Sequence, residues 1–271
     1  MFQNLARLFR YRTLIQSLVA RELKARYRGS VLGFFWSFVN PLLLLLIYSF
    51  VFTVVLPSRV APDLQPYALF MFCGILPWTW FSSSLLESSN VLIAGGNLIK
   101  KVLFPAEVLP IVTVVANMVH FFLGLPILAA FLLYYRHAPI SLAEIAWFPV
   151  VILVQLLLTL GLALVVSALT VHFRDIKDLL SNLLTFWFFA TPIIYPMSLM
   201  TEYPLSYRLL NLNPFTHLAV SYQELMFYPG DPPGPFGHWR WLLALVAASV
   251  GLFLAGYFLF DRLRDSFADE V

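Results

Sequence analysis

Residues 21–52 read RELKARYRGSVLGFFWSFVNPLLLLLIYSFVF, and this stretch passes within a few positions from strongly basic to almost wholly apolar. Four of its first eight residues are Arg or Lys. From Leu32 to Val55 no residue is charged, and a helix needs about 20 mostly apolar residues to cross a bilayer core. The stretch therefore predicts a basic segment at a membrane surface that leads into a transmembrane helix.

The basic segment, residues 1–30, is predicted to form an amphipathic helix that lies on the membrane. On a helical wheel its apolar side chains share one half, and most of its basic side chains gather on the other. The apolar half holds Leu5, Leu8, Phe9, Ile15, Leu18, Val19 and Leu23, and the basic half holds Arg7, Arg10, Arg21, Lys24 and Arg28. Arg12, Leu14 and Arg26 break the pattern, which leaves a bend or a protein contact open. A plain basic anchor that only sets orientation would explain the same charges.

Six apolar segments of roughly spanning length account for most of the remaining chain. Residues 31–271 are therefore expected to form one all-α membrane domain with six transmembrane helices. The predicted spans are Leu32–Val55, Tyr67–Leu86, Val108–Tyr134, Ile145–Val171, Leu179–Ile194 and Trp239–Phe260. Pro41 in the first span is tolerable, because neighbouring helices or polar groups can satisfy the carbonyl that a proline frees.

Residues 195–238, between the fifth and sixth spans, have a different composition. They are rich in Pro, Tyr and Asn, and their apolar patches at 209–212 and 215–227 are too broken for a normal span. Irregular backbone survives at membrane depth only when it is buried in protein or lines a watery cavity. Short extracytoplasmic helices or a re-entrant element are therefore predicted here.

The composition excludes several other classes of protein. The chain is 61% hydrophobic and 11% charged, whereas a soluble domain has about a quarter charged residues. Cys73 is the single cysteine, so neither an intrachain disulfide nor a cysteine metal cluster is expected. The pI of about 9.0 comes from basic residues beside membrane segments, and these suit lipid headgroups better than nucleic acid.

The distribution of basic residues predicts the orientation. Thirteen Lys and Arg fall on the side of the N-terminal segment, the second and fourth loops and the C-terminal tail, against four on the opposite side. Because cytoplasmic loops carry the excess of positive charge, both termini are expected in the cytoplasm. An even number of spans agrees with this.

Motifs of catalysis are missing from the sequence. It contains no G-x-x-x-x-G-K-[ST] phosphate-binding loop and no H-E-x-x-H or G-x-S-x-G. Its five histidines are scattered, and no catalytic or metal-binding set is predicted. Glu87 is interpreted as a solvated helix end and His120 as a core histidine with satisfied hydrogen bonds. Ion-driven pumps usually bury a chain of carboxylates in their spans, and the predicted spans contain almost no ionisable residue. This absence indicates that any energy for transport comes from outside this chain.

Aromatic residues make up 17% of the chain, and many tryptophans flank the predicted spans. An interfacial aromatic belt explains such positions. Aromatic faces also bind the apolar faces of sugar rings, so an aromatic-lined pore for a carbohydrate fits the same composition. Both interpretations stay open at this point.

Four stretches of the chain, taken together and in order, match one known family. They are Arg21–Phe52, Tyr67–Pro110, Val171–Pro196 and Leu212–Phe227, and they include YALFMFCGILPWTWF and LNPFTHLAVSYQELMF. In these stretches the chain resembles the permease subunits of ABC type-2 exporters of lipid-linked polysaccharide, such as O-antigen, teichoic acid and capsular polysaccharide. Similar sequences often have Arg where Ala106 and Gln223 stand here.

The resemblance implies a homodimer with two copies of a separate P-loop ATPase. ATP and Mg²⁺ would be held by that partner, with no cofactor in this chain. It also implies a coupling helix that docks on the ATPase, formed by Asn97, Leu98, Ile99, Lys100, Lys101, Leu103 and Phe104. This segment lies between Gly95–Gly96 and Pro105, which suits a rigid piece on hinges. Composition alone would make it an ordinary loop.

The resemblance further implies a lipid-linked glycan as substrate and the plasma (inner) membrane as location. Arginine presents paired donors to phosphate, so the candidates for the carrier headgroup are Arg21, Lys24, Arg26 and Arg28. The pore-lining candidates are Trp36, Phe186, Trp187 and Tyr195. The main rival is a permease of the same architecture that exports a small molecule, a drug or a plain lipid. A rival of another class is an intramembrane glycosyl or acyl transferase, which the lack of carboxylates in the spans disfavours.

Overall fold

The computed structural model describes residues 11–55, 64–100, 104–135, 142–227 and 237–270. Within these ranges the chain forms helices and turns and contains no strand. We number the helices α1 Arg12–Arg26, α2 Trp36–Phe50, α3 Tyr67–Ala94, α4 Gly96–Ile99, α5 Val108–Tyr135, α6 Leu142–His172, α7 Ile176–Phe189, α8 Pro204–Leu212, α9 Pro214–Met226, α10 Trp239–Leu263 and α11 Phe267–Glu270.

Four helices are long and apolar enough to cross a membrane. They are Tyr67–Ala94, Val108–Tyr135, Ala146–His172 and Trp239–Ser266. They correspond to the predicted second, third, fourth and sixth spans, so an all-helical chain with long apolar helices is confirmed for the described residues.

The second span continues past Leu86, where the sequence predicted its end, to Ala94. Its polar residues do not stop the helix, because hydroxyl groups bond back to carbonyls of the same helix. Ser84 Oγ donates to the carbonyl of Trp80 at 2.6 Å, and Ser89 Oγ donates to that of Leu86 at 2.6 Å. Hydroxyls satisfied in this way are tolerated inside a helix.

The other two predicted spans are shorter than expected as α-helices. α2 has 15 residues, with a 3₁₀ turn at Gly33–Phe35 before it and a π turn at Val51–Val55 after it. α7 has 14 residues, which is about 21 Å at 1.5 Å per residue against a bilayer core of about 30 Å. The bounds predicted for the fifth span, Leu179–Ile194, were therefore wrong at both ends.

A proline-containing turn ends α7. Pro192 and Pro196 lack the backbone N–H that a continuing helix needs. Asn213, the residue just before α9, holds the turn through hydrogen bonds of its side-chain amide. Asn213 Nδ2 donates to the carbonyl of Ala190 at 3.0 Å, and its Oδ1 accepts from the N–H of Phe215 at 3.0 Å. One amide thus supports the end of α7 and caps the start of α9.

Short helices form within residues 195–227, the described part of the region before the last span, as the sequence predicted. A 3₁₀ turn at Met197–Met200 is followed by α8 and α9. α9 is embedded in the protein, since Phe215, Leu218 and Tyr222 are fully buried. It packs against α3 and α6.

α3 is the central helix of the fold. It packs on α2, α5, α6, α7 and α9, and almost all of its first half is buried. Its aromatic residues meet those of the neighbouring elements edge to face, for example Trp78 with Phe215 and Phe81 with Trp187. Such pairs contribute about 0.5–1.5 kcal/mol each beyond the area they bury.

α6 and α10 approach so closely that their backbones touch. A Cβ placed on Gly256 would lie 2.4 Å from the carbonyl oxygen of Gly161, and one on Gly161 would lie 2.9 Å from the backbone of Phe253. Membrane helices use small residues at such contacts, because van der Waals packing replaces the hydrophobic drive that lipid removes. Neither backbone can move aside as a flexible side chain would.

We expect Gly256→Ala to destabilise the protein by about 1–3 kcal/mol, the range typical of overpacking. The matched control is Gly251→Ala on the same helix, because a Cβ there has no atom within 4 Å. Alanine favours a helix over glycine by about 1 kcal/mol, so the control should be neutral or slightly stabilising. Thermal unfolding of the purified variants in detergent measures the difference, and equal midpoints for the two would contradict the close approach.

Candidate functional site

An ion pair fastens the surface helix α1 to the spans. Near the end of α1, Arg26 Nη2 pairs with the carboxylate of Glu87 on α3, and Arg26 Nη1 donates to Asn117 Oδ1 on α5 at 3.0 Å. Asn117 Nδ2 donates to Glu87 Oε2 at 2.8 Å. Three elements are therefore joined through one carboxylate.

This contact changes two sequence interpretations. Glu87 is not simply a solvated helix end, because its carboxylate accepts hydrogen bonds from two side chains. Arg26 points into the protein, which explains why it broke the amphipathic pattern of the first helix. Arg21, Lys24 and Arg28, the other headgroup candidates, are exposed.

A second polar group ties the turn after α1 to α5. The hydroxyls of Tyr27 and Ser37 are hydrogen-bonded at 2.6 Å, and they lie 3.4 and 3.3 Å from His120 Nδ1. His120 therefore has hydrogen-bonding partners, as the sequence predicted.

Both polar groups line a cavity of about 380 Å³ between α1, α2, α3 and α5. Its wall combines aromatic rings, amide and hydroxyl groups and one ion pair, contributed by Trp36, Asn40, Thr79, Trp80, Ser83, Arg26, Glu87, Asn117 and His120 among others. A ligand with hydroxyl groups and apolar ring faces would find partners for both features here, whereas the charge of Arg26 is already balanced by Glu87.

A second groove, of about 310 Å³, lies between α3 and α7. Hydroxyl side chains line it from both helices, namely Ser82, Ser83, Ser181 and Thr185. Ser83 borders this groove and the cavity alike, so polar surface continues along α3. Polar residues at membrane depth face the interior of a bundle or a watery cavity rather than lipid.

The pore-lining candidates fall at two places. Trp36 lines the cavity and donates its Nε1–H to Ser30 Oγ at 3.1 Å. Phe186, Trp187 and Tyr195 border a third, largely apolar groove of about 620 Å³ between α7 and α8. Of these Phe186 is the most open, with 71% of its surface exposed.

Trp187 borders the third groove and also contributes to the packing of the fold. Its Nε1–H donates to Asn213 Oδ1 at 2.7 Å, and its ring packs edge to face on Trp78 and Phe81. It therefore anchors α7 to the turn before α9.

The predicted coupling segment directly follows the C-terminal end of α3 at Ala94. α4 is a single helical turn after Gly95, with Asn97 and Lys100 exposed. Leu98, Ile99 and Phe104 pack against the chain's own residues rather than outward. Lys101 and Leu103 lie outside the described residues.

The apolar residues of this segment meet what we call the C-terminal cluster. The cluster comprises Leu92, Ala106, Leu109, Leu164, Ala168, Val171, Tyr257, Phe260 and Phe267. It joins the ends of α3, α6 and α10 to the start of α5.

The sequence did not reveal a histidine pair at the start of α10. His217 Nδ1 lies 3.0 Å from His238 Nε2, and His217 Nε2 donates to the carbonyl of Asn211 at 2.9 Å. The ring of His217 stacks on Trp241 at 4.7 Å. Burial lowers the pKa of both imidazoles, that of His238 to about 4, so both are neutral at pH 7. Only tertiary structure brings together residues 21 positions apart.

Long apolar helices around a polar cavity, with a basic helix at one edge, define an integral membrane protein of the transporter kind. The chain belongs to the ABC-2 type transporter family, whose model matches residues 13–227. The match covers α1 to α9 and ends just before the last long helix.

Curated relatives match nearly the whole chain. It is 41% identical to the O-antigen export system permease protein RfbA of Myxococcus xanthus, with both chains fully covered. It is 32% identical to an RfbA of Klebsiella pneumoniae, over 98% of this chain and 96% of the relative. It is 22% identical to the polysialic acid transport protein KpsM of Escherichia coli, over 89% of this chain and 91% of the relative.

We expect Glu87→Ala to lower stability by about 1–2 kcal/mol, since hydrogen bonds to charged groups contribute about 1.5–3 kcal/mol and this pair is partly exposed. The matched control is Glu22→Ala, which removes a surface carboxylate 3.6 Å from the same guanidinium. Such exposed pairs contribute about 0.5 kcal/mol or less. A double-mutant cycle with Arg26→Ala, followed by thermal unfolding, measures the coupling. Equal coupling to Glu22 and Glu87 would show that the contact between α1 and α3 is weak.

Proposed function

We propose that this chain is the channel-forming permease subunit of an ATP-driven exporter that moves lipid-linked polysaccharide across the plasma membrane. The observation that carries the proposal is similarity over the full length to proteins named O-antigen export permeases, within the ABC-2 type transporter family. KpsM, named for polysialic acid transport, is a more distant relative with a carbohydrate polymer as its cargo.

The geometry supports a carbohydrate cargo. Sugar rings present hydroxyl groups at their edges and apolar C–H faces, and the cavity and the α3–α7 groove offer hydroxyls, amides and indole rings side by side. A small-molecule, drug or plain-lipid exporter would need no such continuous polar wall. The enzyme alternative is disfavoured, because the relatives are named as transport proteins.

A separate P-loop ATPase supplies the energy in this proposal. The chain has no phosphate-binding loop of its own, so ATP and Mg²⁺ belong to the partner. The docking element is the segment Asn97–Phe104, which meets the partner through its exposed residues Asn97 and Lys100. Its apolar residues transmit the contact inward.

A homodimer would complete the conduit. α7 exposes an apolar stripe at Leu179, Leu183, Phe186 and Phe189, and α2 exposes another that includes Ile47. A second copy packed on these stripes would close the hydroxyl groove into a passage walled by both chains. Two copies of the ATPase would then bind below.

The proposed topology has six spans with both termini in the cytoplasm. α2 with its flanking turns and α7 with the turn that follows it supply the first and fifth spans. The excess of Lys and Arg on the side of the termini supports this orientation in the plasma (inner) membrane.

The lipid carrier is proposed to dock by its phosphate on the basic face of α1. Arg21, Lys24 and Arg28 are exposed there, and Arg26 lines the cavity. Each basic residue near the membrane surface contributes about 1 kcal/mol of attraction to anionic lipid. The glycan attached to that phosphate would then lie beside the cavity.

The function is tested with the chain and its ATPase reconstituted in vesicles. We expect ATP-dependent transfer of lipid-linked O-antigen across the bilayer by the complex. The isolated permease should hydrolyse no ATP, because it lacks the phosphate-binding loop. The controls are the complex with a non-hydrolysable ATP analogue and the same assay with a hydrophobic dye as cargo. Transfer of the dye but not of the glycan would favour the small-molecule alternative.

The carrier site is tested by changing Arg21, Lys24 and Arg28 together to Gln. We expect roughly 3 kcal/mol of lost attraction, on the order of a hundredfold in carrier affinity, and unexported glycan should accumulate in the cytoplasm. The control changes the exposed Arg208 and Arg240 to Gln. Orientation is checked with a cysteine at Lys177, which should be labelled only after permeabilisation, and one at Asp231, which should be labelled from outside. Normal export by a correctly oriented triple variant would leave α1 as a simple anchor.

A further inference from the structure

The end of the chain folds back onto the bundle. After α10, a 3₁₀ turn at Arg264–Ser266 leads into α11, whose first residue, Phe267, is 0% exposed. The ring of Phe267 meets that of Phe260 edge to face at 5.1 Å and lies 6.3 Å from the ring of His172. Phe267 therefore sits between the last turns of α6 and α10.

The same cluster receives the coupling segment. Leu98, Ile99 and Phe104 pack against the C-terminal cluster, of which Phe267 is a member, and α4 contacts α11 directly. The half-buried apolar residues of the coupling segment thus pack on a cluster that includes the C-terminal turn.

Covalent connections alone would carry movement of α4 only to α3 and α5, its neighbours along the chain. α3 and α5 also pack on α6, but the C-terminal cluster is what joins α4 itself to α6 and α10. Protein interiors are packed as densely as organic crystals, so a fully buried ring passes displacement on to its neighbours. The ring that contacts both helix ends and closes the cluster is that of Phe267.

We propose that Phe267 is a positioning residue for transport. Its ring couples the ATPase-driven movement of α4 to α6 and α10. These two helices then move together with α3 and α5, the neighbours of α4 along the chain. The inference rests on the proposed function, since it requires a motor that acts on α4.

The test compares Phe267→Ala with Phe267→Leu in the reconstituted complex. Alanine empties the position, and we expect the complex to assemble and hydrolyse ATP while glycan exported per ATP falls at least tenfold. Leucine refills most of the volume and should restore the ratio to within threefold of the natural chain. The control is Phe258→Ala on α10, a residue that is 55% exposed, and it should behave as the natural chain does. An unchanged ratio in Phe267→Ala would overturn the proposal.

A second readout does not depend on the cargo. Spin labels are placed at Ala94, just before α4, and at Arg262 on α10, both of which are exposed. Their distance should stay constant between nucleotide states in the natural complex and should change with nucleotide in Phe267→Ala. A nucleotide-dependent distance in the natural complex would overturn the coupling role, even if the alanine variant fails to assemble. A constant distance in a complex that hydrolyses ATP but exports no glycan would instead count against the proposed function alone.

Discussion

In the hydrocarbon core of a bilayer, each polar group without a protein partner costs several kcal/mol, because no water is present to bond it. For some of its buried polar side chains, the chain meets this constraint with long-range bonds to backbone carbonyls. Gln155 donates to the carbonyl of Pro77 and Gln223 to that of Pro192, each at 2.8 Å, and Trp80 donates to that of Val114 at 3.2 Å. These bonds hold α6, α9 and α5 against α3 and its surroundings, so the arrangement of helices depends on them.

The same constraint applies to the hydroxyl side chains between α3 and α7, which make none of these long-range bonds. Packing alone would favour alanine or leucine between α3 and α7, yet hydroxyl groups line that groove and continue into the cavity beside Arg26. The ion pair of Arg26 with Glu87 places a basic helix beside that polar surface. Basic and hydroxyl side chains therefore lie next to each other on the inner side of α1 and α3.

The sequence was sufficient to predict the features that follow from local composition. The lengths of the apolar segments predicted the four long spans. The high content of Pro, Tyr and Asn in residues 195–238 indicated the short helices before the last span. Features made by distant residues were missed, because no periodicity records a partner 61 positions away, as between Arg26 and Glu87. For the same reason the contact of Leu98 and Ile99 with the chain's own C-terminal cluster was not predicted. The continuation of α3 to Ala94 was missed because hydroxyls that bond within a helix look, in sequence, like those of a loop.

The contact between Gly161 and Gly256 also limits how the bundle can move. Where side chains interdigitate, two helices can slide by exchanging rotamers, but a contact of backbone on backbone has no rotamers to exchange. In kinematic terms α6 and α10 then count as one rigid body. The C-terminal turn belongs to that body, because Phe267 lies against both helix ends. The long helices therefore have fewer independent moving parts than their number suggests.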